Sequence, residues 1–160
     1  MSIIIGCLGA IYQDNLKRFA AYTSINQVGF LLIGLSTISV VGFSAALLNL
    51  FFYSLANLGF FTILLNAKQK ETGNNLFMIN QLRDFAITNP KQAYIFMFLI
   101  FSMAGIPPFI GFFGKFLIFL STDFMFVFTL VVGLLATVIS AFYYVRLIKV
   151  CFFDFTFSSC

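Results

Sequence analysis

The stretch FSMAGIPPFIGFFGKFLIF, residues 101–119, carries a single charge, Lys115, and places Gly105, Pro107 and Pro108 close together in the middle of an apolar run. Two prolines remove backbone donors and clash with the carbonyls of the preceding turn, so a helix through this stretch breaks or kinks at Gly105–Pro108. A broken helix leaves carbonyls free inside a membrane, where transporters use such groups to contact ions and water. The competing reading is a kink that serves packing only. Lys115 follows the break, and Phe116 to Leu120 separate it from the polar boundary at Ser121. A lysine at that depth is costly unless it is hydrated, paired or deprotonated. Either its long side chain snorkels towards Asp123, or it is a titrating group.

Around this stretch the chain is built for lipid. Of its 160 residues 61% are hydrophobic and 9% are charged, where soluble domains carry roughly a quarter charged residues. A soluble enzyme is excluded. The formal charge of +4 comes from residues in short connections between apolar segments, where basic side chains set membrane orientation, so nucleic acid is not a partner. Cys7, Cys151 and Cys160 have no metal-ligand spacing and there is no histidine, so neither a metal site nor a disulfide is expected. Twenty-five Phe with no Trp suggests the codon bias of an AT-rich organellar genome, and the amino terminus lacks the charged region and cleavage site of a signal peptide.

Five apolar segments follow: 1–12, 19–40, 42–67, 92–121 and 124–150. The last four are long enough to span. The first would reach only about 18 Å of a hydrocarbon core of about 30 Å, the length of half a helix. The fold class is therefore an all-α membrane protein, with about four full transmembrane helices plus a short N-terminal one, a single transmembrane domain over 1–160. Lys17 and Arg18, then Lys68, Lys70, Arg83 and Lys91, then Arg146 and Lys149 all fall on one side of this layout, and the opposite connections carry no basic residue. By the positive-inside rule that side faces the matrix or cytoplasm. The long connection 68–91 carries a weak helical stripe of Leu76, Phe77, Ile79, Leu82 and Phe85, which reads either as a short amphipathic helix along the interface or as a solvated loop.

Polar residues inside the spans are the remaining candidates. Asn49, Tyr53 and Asn57 recur at i, i+4 and i+8 and so share one helix face; they glue helices together or hydrate a proton path, and spacing does not separate the two. Tyr22, Thr23, Ser24, Asn26 and Gln27 crowd the opening of the second segment. Helix ends near headgroups tolerate such residues, which leaves Asn26 and Gln27 as the two that lie deeper.

Four stretches now stand out: GAIYQDNLKRFAAYTSINQVGF (9–30), YSLANLGFF (53–61), MAGIPPFIGFFGKF (103–116) and SAFYYVRLIKVCFF (140–153). In order and spacing they resemble the carboxyl-terminal half of the subunit 2 family of NADH dehydrogenase, the antiporter-like proton-pumping subunits of respiratory complex I. The resemblance covers nearly the whole chain and is most specific over Gly105 to Phe116. Related cation/proton antiporter subunits share these elements.

The resemblance implies two inverted five-helix repeats, each with a discontinuous helix, of which this chain would supply the later part of the second. It implies that Lys115 is the proton-transfer residue of the broken helix, towards the outer side, that Gly105, Pro107 and Pro108 form the break, that Asn49, Tyr53 and Asn57 hydrate the path, and that Lys17 is a basic position near the matrix surface, a candidate matrix-side entry; Asn26 and Gln27 join the hydrophilic path on their depth in the second segment. It implies a mitochondrial inner-membrane location with the basic loops and carboxyl terminus facing the matrix. Partners would be the N-terminal half of a split subunit, neighbouring antiporter-like and small membrane subunits, and lipids. There is no dinucleotide fingerprint and no cysteine cluster, so no cofactor is expected in this chain, and NADH, FMN, iron-sulfur clusters and ubiquinone fall to partner subunits. The alternatives are a subunit of a multisubunit cation/proton antiporter and a structural spacer that no longer pumps.

Overall fold

The computed structural model describes residues 1–66, 78–82, 85–107, 109–122 and 127–153. Seven helices occur among them: α1 (Ser2–Ile11), α2 (Leu16–Ser36), α3 (Val40–Asn66), α4 (Phe85–Thr88), α5 (Pro90–Ala104), α6 (Ile110–Leu120) and α7 (Val127–Phe152), with one 3-10 turn at Ile79–Leu82 before α4. Helix α2 starts three residues before the apolar edge at Phe19, because the Asn15 side chain accepts a hydrogen bond from Lys17 N and caps its first turn. At the start of α3, Ser39 Oγ accepts from Gly42 N in the same way.

Helices α2, α3 and α7 are each long and apolar enough to cross a membrane. The fourth crossing is made in two pieces. Helix α5 opens with Pro90 in its first turn, where the missing N–H costs nothing. It ends at Gly105, which adopts the left-handed conformation at φ 77°. Gly105 N and Ile106 N both donate to the Phe101 carbonyl, at 3.1 and 3.3 Å, closing the helix before the chain turns into α6. The break therefore falls where the Gly-x-Pro-Pro chemistry predicts. Pro107 is exposed at its tip, and Pro108 lies outside the described residues.

Helix α1 lies against α2 and α7, while α3 packs on α2, α5 and α6, and α5 also meets α7. A larger core near the basic end joins Leu16, Phe19, Phe60, Phe96, Tyr143 and Leu147. A smaller one beyond it joins Ile3, Cys7, Phe30, Ile33, Ile118 and Ala136. In the larger core Phe19 stands edge-on to both Tyr143 and Tyr144, at 5.4 and 5.7 Å between centroids, the geometry the ring quadrupoles favour. The outer faces keep large apolar side chains exposed, among them Phe51, Leu55 and Leu58 of α3 and Val138 and Phe142 of α7, as surfaces turned to lipid or to other membrane helices are.

The connection after α3 is packed into the bundle. Leu76 and Phe77 lie outside the described residues, but Ile79, Leu82 and Phe85 do not face solvent, as a solvated loop would have them: all three are buried in the larger core. Ile79 N donates to the Asp14 carbonyl at 2.9 Å, and Asn15 bridges Met78. At the same end Arg146 of α7 donates to the Ile11 carbonyl at 2.8 Å and pairs with Asp14 at 3.6 Å, tying the α1–α2 turn to α7.

Candidate functional site

The break sets the position of everything else. Helix α6 crosses so close to the end of α5 that a Cβ on Gly111 would collide with the Ser102 carbonyl. Lys115, one turn further along α6, is thereby carried back against the carbonyls that the end of α5 leaves free. Its Nζ donates to Ala104 O at 3.0 Å and to Met103 O at 3.3 Å, and lies 5.3 Å from the centroid of the Phe30 ring. Lys115 is 5% exposed. The side chain turns inward to the break, while Asp123 lies outside the described residues; two carbonyl dipoles and a ring face supply part of the stabilisation that water would give an ammonium.

From the other side α3 supplies Asn49, 3% exposed, which reaches α6 because Gly114 has no side chain: a Cβ there would stand 2.8 Å from Asn49 Oδ1. Gln27, Asn49, Tyr53, Ser102, Met103, Gly111 and Lys115 line a cavity of about 10 Å³, at the lower bound of what seats a single water molecule. A wider cleft of about 210 Å³ between α2 and α3 shares Gln27, Asn49 and Tyr53 with it and adds Ser24 and Ser54. A buried amine, two amides and a phenol around a water-sized space can pass a proton between the lysine and a hydrogen-bonded chain.

Of the residues singled out in the sequence, Lys115, Asn49, Tyr53 and Gln27 come together here, and Gly105 touches the lysine side chain. Asn57 does not line the cavity; its Oδ1 is buried two turns from Asn49. Lys17 is exposed on the first turn of α2, about 15 Å along the helix from Gln27. Asn26 faces the other way. It accepts from Cys7 Sγ at 3.3 Å and donates through Nδ2 to the Tyr143 hydroxyl at 3.4 Å, joining α1, α2 and α7. Cys7 Sγ also lies 3.6 Å from Ala136 O.

Three buried groups carry contacts that the sequence assigns to none of them: Cys7, Tyr143 and Thr23. Thr23 is 2% exposed and its hydroxyl meets Tyr53 OH at 3.4 Å, so it faces α3 and not the outer surface. The available signal was Asn26 itself, since an amide deep in a span requires partners on neighbouring helices.

Comparison with known proteins supplies the context. The family described as NADH:quinone oxidoreductase/Mrp antiporter, TM, matches residues 1–140. NADH-quinone oxidoreductase subunit N of Erythrobacter litoralis (strain HTCC2594) is 47% identical over 96% of this chain and 31% of its own length. That of Pelagibacter ubique (strain HTCC1062) is 42% identical over 96% of this chain and 32% of its own. Among solved structures, respiratory complex I from Thermus thermophilus with bound aureothin contains a chain that superposes with a TM-score of 0.78 at 28% identity, over 95% of this chain and 34% of that one. The Mrp complex from Dietzia sp. DQ12-45-1b contains one with a TM-score of 0.81 at 24% identity, over 95% and 28% respectively, a likeness of fold. This chain spans about a third of the length of these relatives.

Proposed function

This chain belongs to the NADH:quinone oxidoreductase/Mrp antiporter membrane family, and from that premise we propose that it forms part of the proton-translocating arm of an NADH:quinone oxidoreductase, with Lys115 as its proton-transfer site. The observation that carries this reading is the inward turn of Lys115 onto the Ala104 and Met103 carbonyls, beside a small cavity lined by Gln27, Asn49 and Tyr53. Among the described residues the amine is held by the two carbonyls and the face of the Phe30 ring, with no carboxylate bonded to it. A site balanced in this way can take up and release a proton. Bacterial relatives called NADH-quinone oxidoreductase subunit N, 47% identical at best among those named, favour this assembly over an Mrp-type antiporter, whose likeness at 24% is one of fold.

On this reading the chain performs no redox chemistry. NADH, FMN, iron-sulfur clusters and ubiquinone are held by partner subunits, which include neighbouring antiporter-like and small membrane subunits. The rest of the antiporter fold is supplied by further polypeptide of the same or another chain. The Phe-rich composition supports a mitochondrial inner membrane, with the end that bears Lys17, Arg18, Lys91, Arg146 and Lys149 facing the matrix.

Lys115→Met tests the proposal, because it keeps the volume and the apolar contacts and removes the proton site. Assembly persists and proton translocation coupled to NADH oxidation falls; Lys115→Arg fails as well, since a guanidinium does not deprotonate. Full translocation by Lys115→Met at normal assembly levels would show that the lysine only anchors the break. Co-purification decides between the two assemblies: without NADH-oxidising activity in the complex that carries this chain, the antiporter reading stands instead.

A further inference from the structure

Thr23 of α2 lines neither the cavity at Lys115 nor the wider cleft beside it, yet it is buried and its hydroxyl makes two contacts. It donates to the Ala20 carbonyl of its own helix at 2.9 Å, and it meets the Tyr53 hydroxyl of α3 at 3.4 Å. A carbonyl only accepts, and two oxygens 2.9 Å apart with no proton between them repel, so the single Thr23 proton is committed to Ala20. Ser24, Ser54, Thr62, Thr137 and Ser140 spend their protons in the same way, on carbonyls of their own helices. Among these described hydroxyls Thr23 alone adds to that bond a hydroxyl of another helix.

The direction of the Tyr53 proton follows. With its own proton spent, Thr23 Oγ1 only accepts, so Tyr53 is the donor in the 3.4 Å contact. The phenol has one proton, and what it offers the cavity is therefore its acceptor side. The groups around that cavity call for an acceptor. Asn49 Nδ2 is buried without a hydrogen-bond partner. The Lys115 ammonium has three N–H donors, of which the Ala104 and Met103 carbonyls take two. A phenol proton turned into the cavity would face these donors with another donor, in an interior where an unpaired polar group is costly.

We propose that Thr23 is a positioning residue for the lysine site: by taking the Tyr53 proton it fixes that phenol as a hydrogen-bond acceptor towards the cavity it shares with Asn49 and Lys115. The proposal rests on the reading of Lys115 as the proton-transfer site, and adds which groups around it give a hydrogen bond and which receive one. Thr23 touches the lysine only through Tyr53.

Infrared spectroscopy of the purified complex that carries the chain reads the phenol directly, since its C–O stretch moves with the hydrogen bonds the hydroxyl gives and receives. The Tyr53 band is isolated in each background, with tyrosine isotopically labelled, as the difference made by Tyr53→Phe. In Thr23→Val, which keeps the branched shape and removes the hydroxyl, the band shifts. In Thr23→Ser, which keeps the hydroxyl, it stands where the parent has it. NADH-driven proton translocation per assembled complex falls about three- to tenfold in Thr23→Val, the order one hydrogen bond is worth, and Thr23→Ser restores it. Thr23→Val adds no further loss to Tyr53→Phe, because its effect runs through the phenol. Thr23→Ala carries the same comparison where Thr23→Val does not assemble. An unmoved band in the variants without the hydroxyl, an equal loss in Thr23→Ser, or additive losses with Tyr53→Phe overturns the assignment. The band shift of Thr23→Val appears in Lys115→Met as well, so a failed proton site and a failed role for Thr23 are told apart.

Discussion

Lys115 packs against the residue that ends the helix before it: a Cβ on Gly105 would stand 3.1 Å from Lys115 Cδ and 3.2 Å from Nζ. The position demands glycine twice over, once for φ 77° and once for the room the lysine needs. Gly105→Ala therefore costs about 1–2 kcal/mol from the left-handed backbone alone and displaces the amine from the Ala104 carbonyl. Proton translocation per assembled complex falls with it. Unchanged translocation and thermal stability in Gly105→Ala would refute the contact.

Gly114 governs the other side of the site. A Cβ there would meet Asn49 Oδ1 at 2.8 Å and Asn49 Cα at 2.9 Å. Since the second neighbour is backbone, no rotamer change relieves the clash, and Gly114→Ala costs about 1–3 kcal/mol as overpacking. The thermal midpoint of the assembled chain drops, and Asn49→Ala does not restore it.

Asn26 is a pin between three helices. Asn26→Leu removes the acceptor of Cys7 and the partner of the Tyr143 hydroxyl in one step, a loss of about 1–3 kcal/mol for groups left buried without partners. Helix α1 then docks less tightly on α2 and α7. Cys7, buried in the parent, becomes reactive to a small permeant thiol reagent, while Gln27→Leu, made on the cavity side of α2, leaves Cys7 protected.

Sidedness follows from the charged ends. Arg18 and Lys91 are exposed at the starts of α2 and α5, and Ile38 is exposed on the turn at the other end of α2. Arg18→Cys and Lys91→Cys react with an impermeant reagent from the matrix or cytoplasmic side only, and Ile38→Cys from the opposite side only. Any other pattern contradicts the topology.

The break was legible in the sequence because its cause is local: Gly105 and Pro107 act on their own backbone, wherever the neighbours stand. The direction of the Lys115 side chain was not. A snorkelling lysine and one turned to the break have the same sequence, and only the approach of α6 to the end of α5 decides between them. Tyr143 and Cys7 were illegible for a different reason, since a phenol or a thiol in an apolar run reads as core until its partner on another helix is known. Ile79, Leu82 and Phe85 gave a visible stripe, but periodicity reports that a face is covered and not whether lipid or protein covers it.

The seating of that same segment constrains the order in which the protein can be made. Ile79, Leu82 and Phe85 share one core with Leu16 and Phe19 from early in the chain and with Tyr143 and Leu147 from late in it. Helices α2 and α3 can pass into the bilayer as a hairpin as soon as they are synthesised, but the connection after them finds its full set of neighbours only once α7 has been inserted and has docked. Until then its apolar side chains stay uncovered at the membrane surface, the stage at which a nascent membrane chain is open to chaperones and to quality-control proteases.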